Sequence, residues 1–267
     1  MPLVVAHGLP KSGSTFLYYV AREAGALANG ASHYRSKEAF FGKDQMPDYI
    51  HHLTDDIVER ILRQLPEGAF FVLKTHGRLS PSLRARVAAG EVLALTSFRD
   101  PRDTVISMLD SGVRDRERGA DRPFAEMTSV KDTLQPLKFS LTIAREWMTC
   151  ERVLQVPYYL IATEQNFTIR LLVRHLGLDF FWRALTAHFS INREQRITEF
   201  NKGIADRFID DLPPGDTLRL TQDFAAEIAD IDCATAMWMS RYGYRMLYSH
   251  LAGLREKRLA ALSFRIN

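Results

Sequence analysis

The residues best suited to chemistry in this chain begin with a glycine- and serine-rich stretch at 7–16, HGLPKSGSTF. It joins an apolar segment to an amphipathic one, where backbone N–H groups and a helix N-terminus can bind an anion. Gly8 and Gly13 have the GxxxxG spacing of a phosphate loop, but a nucleotide-triphosphate loop places lysine directly after the second glycine. Here that position is Ser14, and the lysine lies inside the loop at Lys11. The stretch predicts an anion site whose lysine faces the reacting end of the ligand; an ordinary strand–helix turn is the alternative.

A second candidate anion site follows the apolar segment 92–98. Arg99, at the end of that segment, can form two charge-assisted hydrogen bonds with a phosphate. Pro101 is suited to start a helix, and Ser107 lies about two turns into it. The pattern therefore predicts an arginine and a hydroxyl that face one anion; the alternative is a strand–helix junction with an exposed arginine.

A histidine ends the second apolar segment, 69–73, in the sequence Lys74-Thr75-His76. Ligands of parallel α/β sheets bind at the carboxyl ends of the strands, and histidine titrates near neutral pH. His76 is therefore a candidate general base beside the phosphate loop, with a purely structural histidine as the alternative.

Taken in chain order, the three stretches resemble motifs of the cytosolic-type sulfotransferases that use 3′-phosphoadenosine 5′-phosphosulfate (PAPS). Residues 10–16 (PKSGSTF) resemble the PKSGTTW loop that cradles the 5′-phosphosulfate. Residues 99–107 (RDPRDTVIS) resemble the motif for the 3′-phosphate, and 74–76 match a KTH whose histidine is the general base. The resemblance is specific across residues 4–110, looser from 140 to 178 and weakest in the C-terminal third.

The resemblance implies a role for each matching residue. His76 would be the base, Lys11 would stabilise the leaving phosphate, and Ser107 would restrain that lysine until the acceptor arrives. The implied cofactor-binding residues are Pro10, Lys11, Ser12, Gly13, Ser14, Thr15, Phe16, Arg99, Ser107, Lys202 and Gly203. Because related Golgi-type sulfotransferases use a glutamate, Glu38 is the alternative base.

The later part of the chain departs from the family pattern. Residues 158–178 resemble the strand and helix that read YEDL and FLGL in the family, but Ala162 or Thr163 replaces the tyrosine expected at the adenine. Residues 201–203 (NKG) resemble a basic RKG that closes over the 3′-phosphate, and 206–208 (DRF) stand where a GxW follows.

The function implied is transfer of a sulfuryl group from PAPS to a hydroxyl or amine, with 3′-phosphoadenosine 5′-phosphate (PAP) as product. The acceptor would be a small molecule, a glycolipid head group or a saccharide. No metal is expected, because a sulfuryl group is one charge less anionic than a phosphoryl group. The alternatives are a P-loop kinase or NTPase, which Ser14 disfavours, and a non-catalytic adenosine-bisphosphate-binding protein.

Short apolar runs alternate with amphipathic segments, as is typical of an α/β fold with a central parallel sheet flanked by helices. The fold expected is the P-loop-containing nucleotide-hydrolase type, in one domain over 1–267. The expected strands are 3–6, 69–73, 92–98 and 158–162. The expected helices are 15–27, 57–65, 81–89, 101–109, 136–153, 167–176 and an amphipathic one at 244–262. Residues 32–55 are expected to be irregular, and the charged run 114–122 to be a mobile loop.

The composition narrows the possible partners. The 267 residues are 46% hydrophobic and 25% charged, and the net charge of +3 is too small to indicate nucleic acid as a partner. No apolar run reaches the roughly 18 residues of a membrane span, and the N-terminus does not resemble a signal peptide. Two cysteines without a CxxC or HExxH pattern favour a reducing cytoplasm and no metal site. The oligomeric state is left open.

Overall fold

The structure is a computed structural model that describes residues 3–30, 35, 38–41, 49–178, 183–186, 204–241, 253, 255–257 and 260. The chain divides into two compact units, each made of two segments. The first comprises Met1–Phe98 and Ser140–Gly203, and the second comprises Arg99–Phe139 and Ile204–Asn267. The organisation as one domain over 1–267 stays a prediction.

The first unit is built on a parallel sheet of four strands. They are β1 (Leu3–Gly8), β2 (Phe71–Thr75), β3 (Leu93–Phe98) and β4 (Val153–Pro157), in the order β2-β1-β3-β4. All three pairings are parallel, so the carboxyl ends of the strands lie at one edge. Every residue of β1 is buried, as expected of a strand whose two faces are both covered. The α/β class with a central parallel sheet is confirmed.

The helices follow the strands in alternation. In chain order they are α1 (Ser14–Asn29), α2 (Glu38–Phe41), α3 (Asp55–Gln64), α4 (Pro81–Ala89), α5 (Pro101–Glu117), α6 (Val130–Met148), α7 (Tyr158–Thr163), α8 (Gln165–His175), α9 (Phe208–Asp211), α10 (Pro214–Asp223) and α11 (Ala225–Arg241). Local signals set several of their ends. The Thr54 and Ser80 hydroxyls accept from backbone amides to cap α3 and α4, and Gly90 ends α4 in a left-handed conformation.

Helix α1 packs on the first three strands and on α8, which fixes its N-terminus relative to the sheet. A second layer of apolar side chains covers the sheet from α3, α4 and the C-terminal half of α6. Trp147 of α6 is the largest fully buried side chain in the described part of the chain. Burial of this kind makes the carboxyl edge of the sheet a rigid platform for the loops that follow it.

The fourth strand was wrongly predicted at 158–162. The strand is Val153–Pro157, and the run that follows it is α7. The register pairs Phe98, the last residue of β3, with Pro157, so β3 has no residue left to pair with 158–162. A short apolar run such as YYLI fits a buried strand or a buried helix equally well, and only the register distinguishes them.

Helices α5 and α6 also differ from the sequence prediction. Helix α5 runs on to Glu117 instead of ending near 109, so the first residues of the charged run 114–122 are helical. Gly112 lies within this helix, and the carbonyls of Phe124 and Met127 lie where a side chain would be. Helix α6 starts at Val130 and ends at Met148, not at 136 and 153.

Asp132 explains the early start of α6. Its carboxylate accepts hydrogen bonds from the backbone amides of Thr128 and Ser129 and from the Thr128 hydroxyl. These bonds lower the pKa of Asp132 to about 2. A carboxylate in the first turn satisfies amides that would otherwise lack partners and favours the helix start.

The second unit is helical in its described part. Helix α5 packs against α9 and α10, and α10 packs against α11. The side chains of Phe208, Leu220 and Phe224 are completely buried there. Most of the predicted helix at 244–262 lies outside the described residues. In the described part of the chain, no helix is both long enough and apolar enough to cross a membrane.

Candidate active site

The loop between β1 and α1 has the backbone geometry of an anion cradle. Lys11 and Gly13 both have positive φ angles, 66° and 89°, so the loop turns through two left-handed residues. The first intrahelical bonds run from the amides of Phe16 and Leu17 to the Gly13 carbonyl. The amides of the preceding residues therefore come before the helical ladder, at the positive end of the helix dipole. This arrangement suits a phosphate or a sulfate group.

Ser12 holds this loop against the sheet. Its side chain is fully buried. Its hydroxyl lies 3.0 Å from the Ser97 carbonyl and 2.7 Å from the Ser97 hydroxyl, and it also contacts the Leu9 carbonyl. The Leu9 amide donates to the Ser97 carbonyl at 2.9 Å. Ser12 thus fixes the loop to β3, and its hydroxyl forms hydrogen bonds with other residues of the protein.

Gly8 makes the close approach possible. A Cβ atom at this position would lie only 2.6 Å from the Ser14 Cβ atom and 3.1 Å from the Ser12 hydroxyl. A side chain here would therefore push the start of α1 away from the end of β1. The first glycine of the GxxxxG pattern is therefore required by packing.

His76 follows the last residue of β2 and lies beside the loop. Its Nδ1 atom is 2.6 Å from the Gly8 carbonyl oxygen. A carbonyl can only accept, so Nδ1 carries the proton, and Nε2 carries the lone pair of the neutral ring. The Tyr49 ring lies with its centroid 5.5 Å from that of His76. The half-buried imidazole is therefore oriented to accept a proton at Nε2.

A second lysine, which was not among the predicted site residues, also contacts the start of α1. Lys74 donates from Nζ to the Thr15 hydroxyl at 2.6 Å, in the first turn of α1. Side chains two residues apart in a strand share a face, so Lys74 and His76 could have been paired from the KTH pattern. Lys11 and Lys74 thus bring two cations to the anion cradle.

Arg99 belongs to the second unit and is part of a buried ionic cluster. Its Nη2 atom donates to the Ile204 carbonyl at 3.2 Å and lies 3.5 Å from the Asp103 carboxylate. The side chains of Arg99 and Asp103 are only 4% and 2% exposed. Burial raises the pKa of Asp103 to about 6, against the opposing effect of the Arg99 charge.

The same carboxylate holds the segment that precedes α9. Asp103 accepts from the backbone amides of Asp206 and Phe208, at 2.8 and 3.1 Å. Asp206 itself has a positive φ of 58°, a conformation that residues with a Cβ atom adopt only rarely. The aspartate of the RDPRD stretch therefore supports residues 204–208, a role that its sequence position alone does not reveal.

Asp100 caps α5 and pairs with two arginines. Its carboxylate accepts from the Arg102 amide at 2.9 Å and from the Arg102 guanidinium at 3.0 and 2.7 Å, and Arg255 also contacts it. Burial alone would raise the pKa of Asp100, but the hydrogen bonds and charges of Arg102 and Arg255 lower it. Asp100 thus both caps α5 and binds the two arginines.

The predicted site residues fall into three groups. Those of the loop and His76 come together at the carboxyl edge of the sheet in the first unit, where the Phe16 side chain is buried. Arg99 and Ser107 lie in the second unit, with Ser107 buried in the second turn of α5. Lys202 and Gly203 lie outside the described residues.

The structure also describes the alternative base and one of the two residues expected at the adenine. Glu38 is exposed in the first turn of α2. Thr163, one of the residues expected at the adenine, is the last residue of α7, and its hydroxyl donates to the Tyr159 carbonyl at 2.9 Å. Among the described residues, no group of three or more histidine, cysteine or acidic side chains could hold a metal ion.

Comparison with solved structures identifies the fold. No protein-family model matches the chain, and no curated protein matches it in sequence. Retinol dehydratase, solved with androsterone and the inactive cofactor PAP, superposes with a TM-score of 0.55 at 15% identity, covering 85% of this chain and 81% of that one. The mouse sulfotransferase SULT7A1 complexed with PAP superposes with a TM-score of 0.56 at 15% identity, covering 88% of each chain. The chain therefore has the sulfotransferase fold.

Proposed function

We propose that this protein transfers the sulfuryl group of PAPS to a hydroxyl or amine of an acceptor molecule. The observation that carries the proposal is the hydrogen bond from His76 Nδ1 to the Gly8 carbonyl. It leaves Nε2 as the basic nitrogen of a ring that lies beside a loop suited to an anion. A protein that only binds adenosine bisphosphate has no need of a base in that position.

The loop fits the phosphosulfate end of the cofactor. Its two left-handed residues, Lys11 and Gly13, and the glycine at position 8 give the close backbone approach that an anion cradle needs. Lys11 and Lys74 add positive charge beside it. Bound there, PAPS supplies the activated sulfuryl group.

Three parts of the chain would then have separate roles in the transfer. His76 accepts the proton of the acceptor hydroxyl at Nε2 as that oxygen attacks. The Lys11 ammonium offsets the negative charge that the departing phosphate oxygen gains. The backbone of the loop and the start of α1 hold the anion in line, so that positioning supplies much of the rate enhancement.

Arg99 and Ser107 are proposed to bind the 3′-phosphate, with Lys202 and Gly203 closing over it. The guanidinium of Arg99 is already oriented by the Ile204 carbonyl and by Asp103. Preorganisation of this kind reduces the entropy lost when an arginine binds a phosphate. Ser107 would also restrain Lys11 until the acceptor arrives.

The acceptor is proposed to be a small molecule, a glycolipid head group or a saccharide. One neighbour of the same fold was solved with a steroid, androsterone. The cytoplasm is the proposed location, on the cysteine content of the chain.

Isothermal calorimetry tests the cofactor assignment. PAP is titrated into the purified chain, and ATP with magnesium is titrated in parallel. We expect a saturable heat with PAP and an affinity for ATP at least tenfold weaker, because the loop lacks the lysine that follows the second glycine of a nucleotide-triphosphate loop. Tighter binding of ATP with magnesium than of PAP would replace the proposal with a kinase or NTPase.

A further inference from the structure

We infer that Trp147 is a positioning residue for His76, acting through the backbone of Gly77. This inference rests on the proposed role of His76 as the base. Trp147 lies in α6, far along the chain from the strand end that it supports, and its side chain is fully buried. Its Nε1 atom donates to the Gly77 carbonyl at 3.0 Å. The residue directly after His76 is therefore held by a side chain from a different element.

Gly77 is fixed on its other sides as well. Its amide donates to the Thr75 hydroxyl at 2.9 Å, and that hydroxyl donates to the Ile50 carbonyl at 2.7 Å. A Cβ atom on Gly77 would lie 2.7 Å from the His51 carbonyl oxygen. With both its amide and its carbonyl bonded, Gly77 gives His76 a backbone with little freedom to rotate.

The ring of Trp147 also supports the strand whose last residue is the hydrogen-bond partner of His76. The Trp147 ring stacks on His7, with centroids 4.7 Å apart and planes 7° from parallel. His7 precedes Gly8, whose carbonyl accepts from His76 Nδ1. Trp147 thus contacts the residue after the base and the residue before the acceptor of the base's hydrogen bond.

His7 is suited to this stack because it is neutral. Burial lowers the pKa of His7 well below 6.5, and electrostatic coupling to the nearby His76 ring lowers it further. Its Nδ1 atom is 2.8 Å from the Thr96 hydroxyl, which ties the ring to β3. A neutral ring at this position packs on the indole without the cost of burying a charge.

The contacts of Trp147 determine which nitrogen of His76 carries the proton. The bond to Gly8 keeps Nδ1 protonated, and that bond depends on the distance between the ends of β1 and β2. Trp147 spans those ends. Without its indole N–H, His76 can turn away from Gly8 and populate the tautomer in which Nε2 is protonated and cannot accept a proton.

Ring ¹⁵N NMR of the unliganded protein tests this directly. His76 is one of eight histidines, and its signals are assigned as those missing from His76→Gln. Trp147→Phe keeps an aromatic ring for the stack and removes the indole N–H. The matched control, Trp238→Phe, makes the same change in α11 of the second unit. We expect the parent and the control to show His76 protonated on Nδ1, and Trp147→Phe to show a mixture of tautomers.

Turnover gives the second measurement. Trp147→Phe should lose about tenfold or more in kcat, because small displacements of catalytic groups have effects of this size. Its affinity for PAP should be that of the parent, and Trp238→Phe should keep parental kcat. Thr75→Val releases the Gly77 amide and should shift the tautomer in the same direction, so it decides the question should Trp147→Phe not fold.

The inference fails if Trp147→Phe keeps the Nδ1-protonated ring, or if both tryptophan variants change alike. It fails equally if Thr75→Val, used in place of an unfolded Trp147→Phe, leaves the tautomer unchanged. A parent protein that transfers no sulfuryl group would refute the proposed function, while the ring nitrogen measurement would still decide the role of Trp147.

Discussion

Replacement of Asp103 by asparagine should change how the stability of the protein depends on pH. Burial raises the pKa of this carboxyl from 3.8 to about 6 in the folded protein. The folded state therefore binds more protons than the unfolded state between about pH 4 and pH 6. The Asp103 carboxyl therefore contributes to the free energy of unfolding below its unfolded pKa. That contribution is lost as the pH rises through its folded pKa.

The size of the effect follows from the shift. Roughly two pKa units, at about 1.4 kcal/mol per unit, correspond to about 3 kcal/mol of unfolding free energy. Asparagine has nearly the same shape and cannot ionise. Because pH 4.5 already lies above the unfolded pKa, part of this energy is lost before the measured range begins. The free energy of unfolding of the parent minus that of Asp103→Asn should thus fall by about 2 kcal/mol between pH 4.5 and pH 7.5.

Urea unfolding of both proteins, followed by circular dichroism across this range, measures the difference. Carboxylates far from Asp103 titrate equally in both proteins and cancel. Glu38→Gln, at an exposed carboxylate of the first unit, is the control and should show no comparable slope. A difference that rises with pH would mean that the Arg99 ion pair dominates over burial, and the reasoning would be refuted.

Three further predictions concern the proposed reaction. Arg99→Ala should weaken PAP binding in calorimetry by roughly 2–5 kcal/mol, because it removes a buried charge-assisted phosphate contact; parental affinity would make Arg99 purely structural. Lys11→Ala should lower kcat, and its effect should be strongly non-additive with that of His76→Gln if both serve one transition state; additive losses in the double variant would contradict this. The ascending limb of the pH–rate profile should be retained in Glu38→Gln, because the proposed base is an imidazole; an ascending limb that Glu38→Gln abolishes would make the carboxylate the base.

The sequence alone predicts those helices, strands and loops whose positions depend on residues close together in the chain. The glycine- and serine-rich loop at 7–16 and the strand before His76 are local patterns, and the strands and the helix predicted around them are confirmed. The same holds for α4, where Ser80, Pro81 and Gly90 mark both ends. Local signals of this kind need no knowledge of the neighbours in space.

Contacts between distant segments could not be predicted in the same way. Lys74 meets Thr15 across 59 positions, and Trp147 meets Gly77 across 70. The mistaken strand at 158–162 has the same origin, because only the register against β3 shows that the sheet ends at Pro157. The buried position of Asp103 likewise depends on a segment about a hundred residues later.

The most direct test of the account is the rate of sulfuryl transfer from radiolabelled PAPS to a panel of hydroxyl acceptors, measured for the parent and for His76→Gln. We expect the parent to transfer the sulfuryl group to at least one phenol, steroid alcohol or sugar. For that acceptor, His76→Gln should lose about 100-fold or more in kcat while binding PAP as the parent does. Near-parental turnover by His76→Gln would contradict the assignment of the base, and no transfer by the parent to any acceptor would contradict the proposed function.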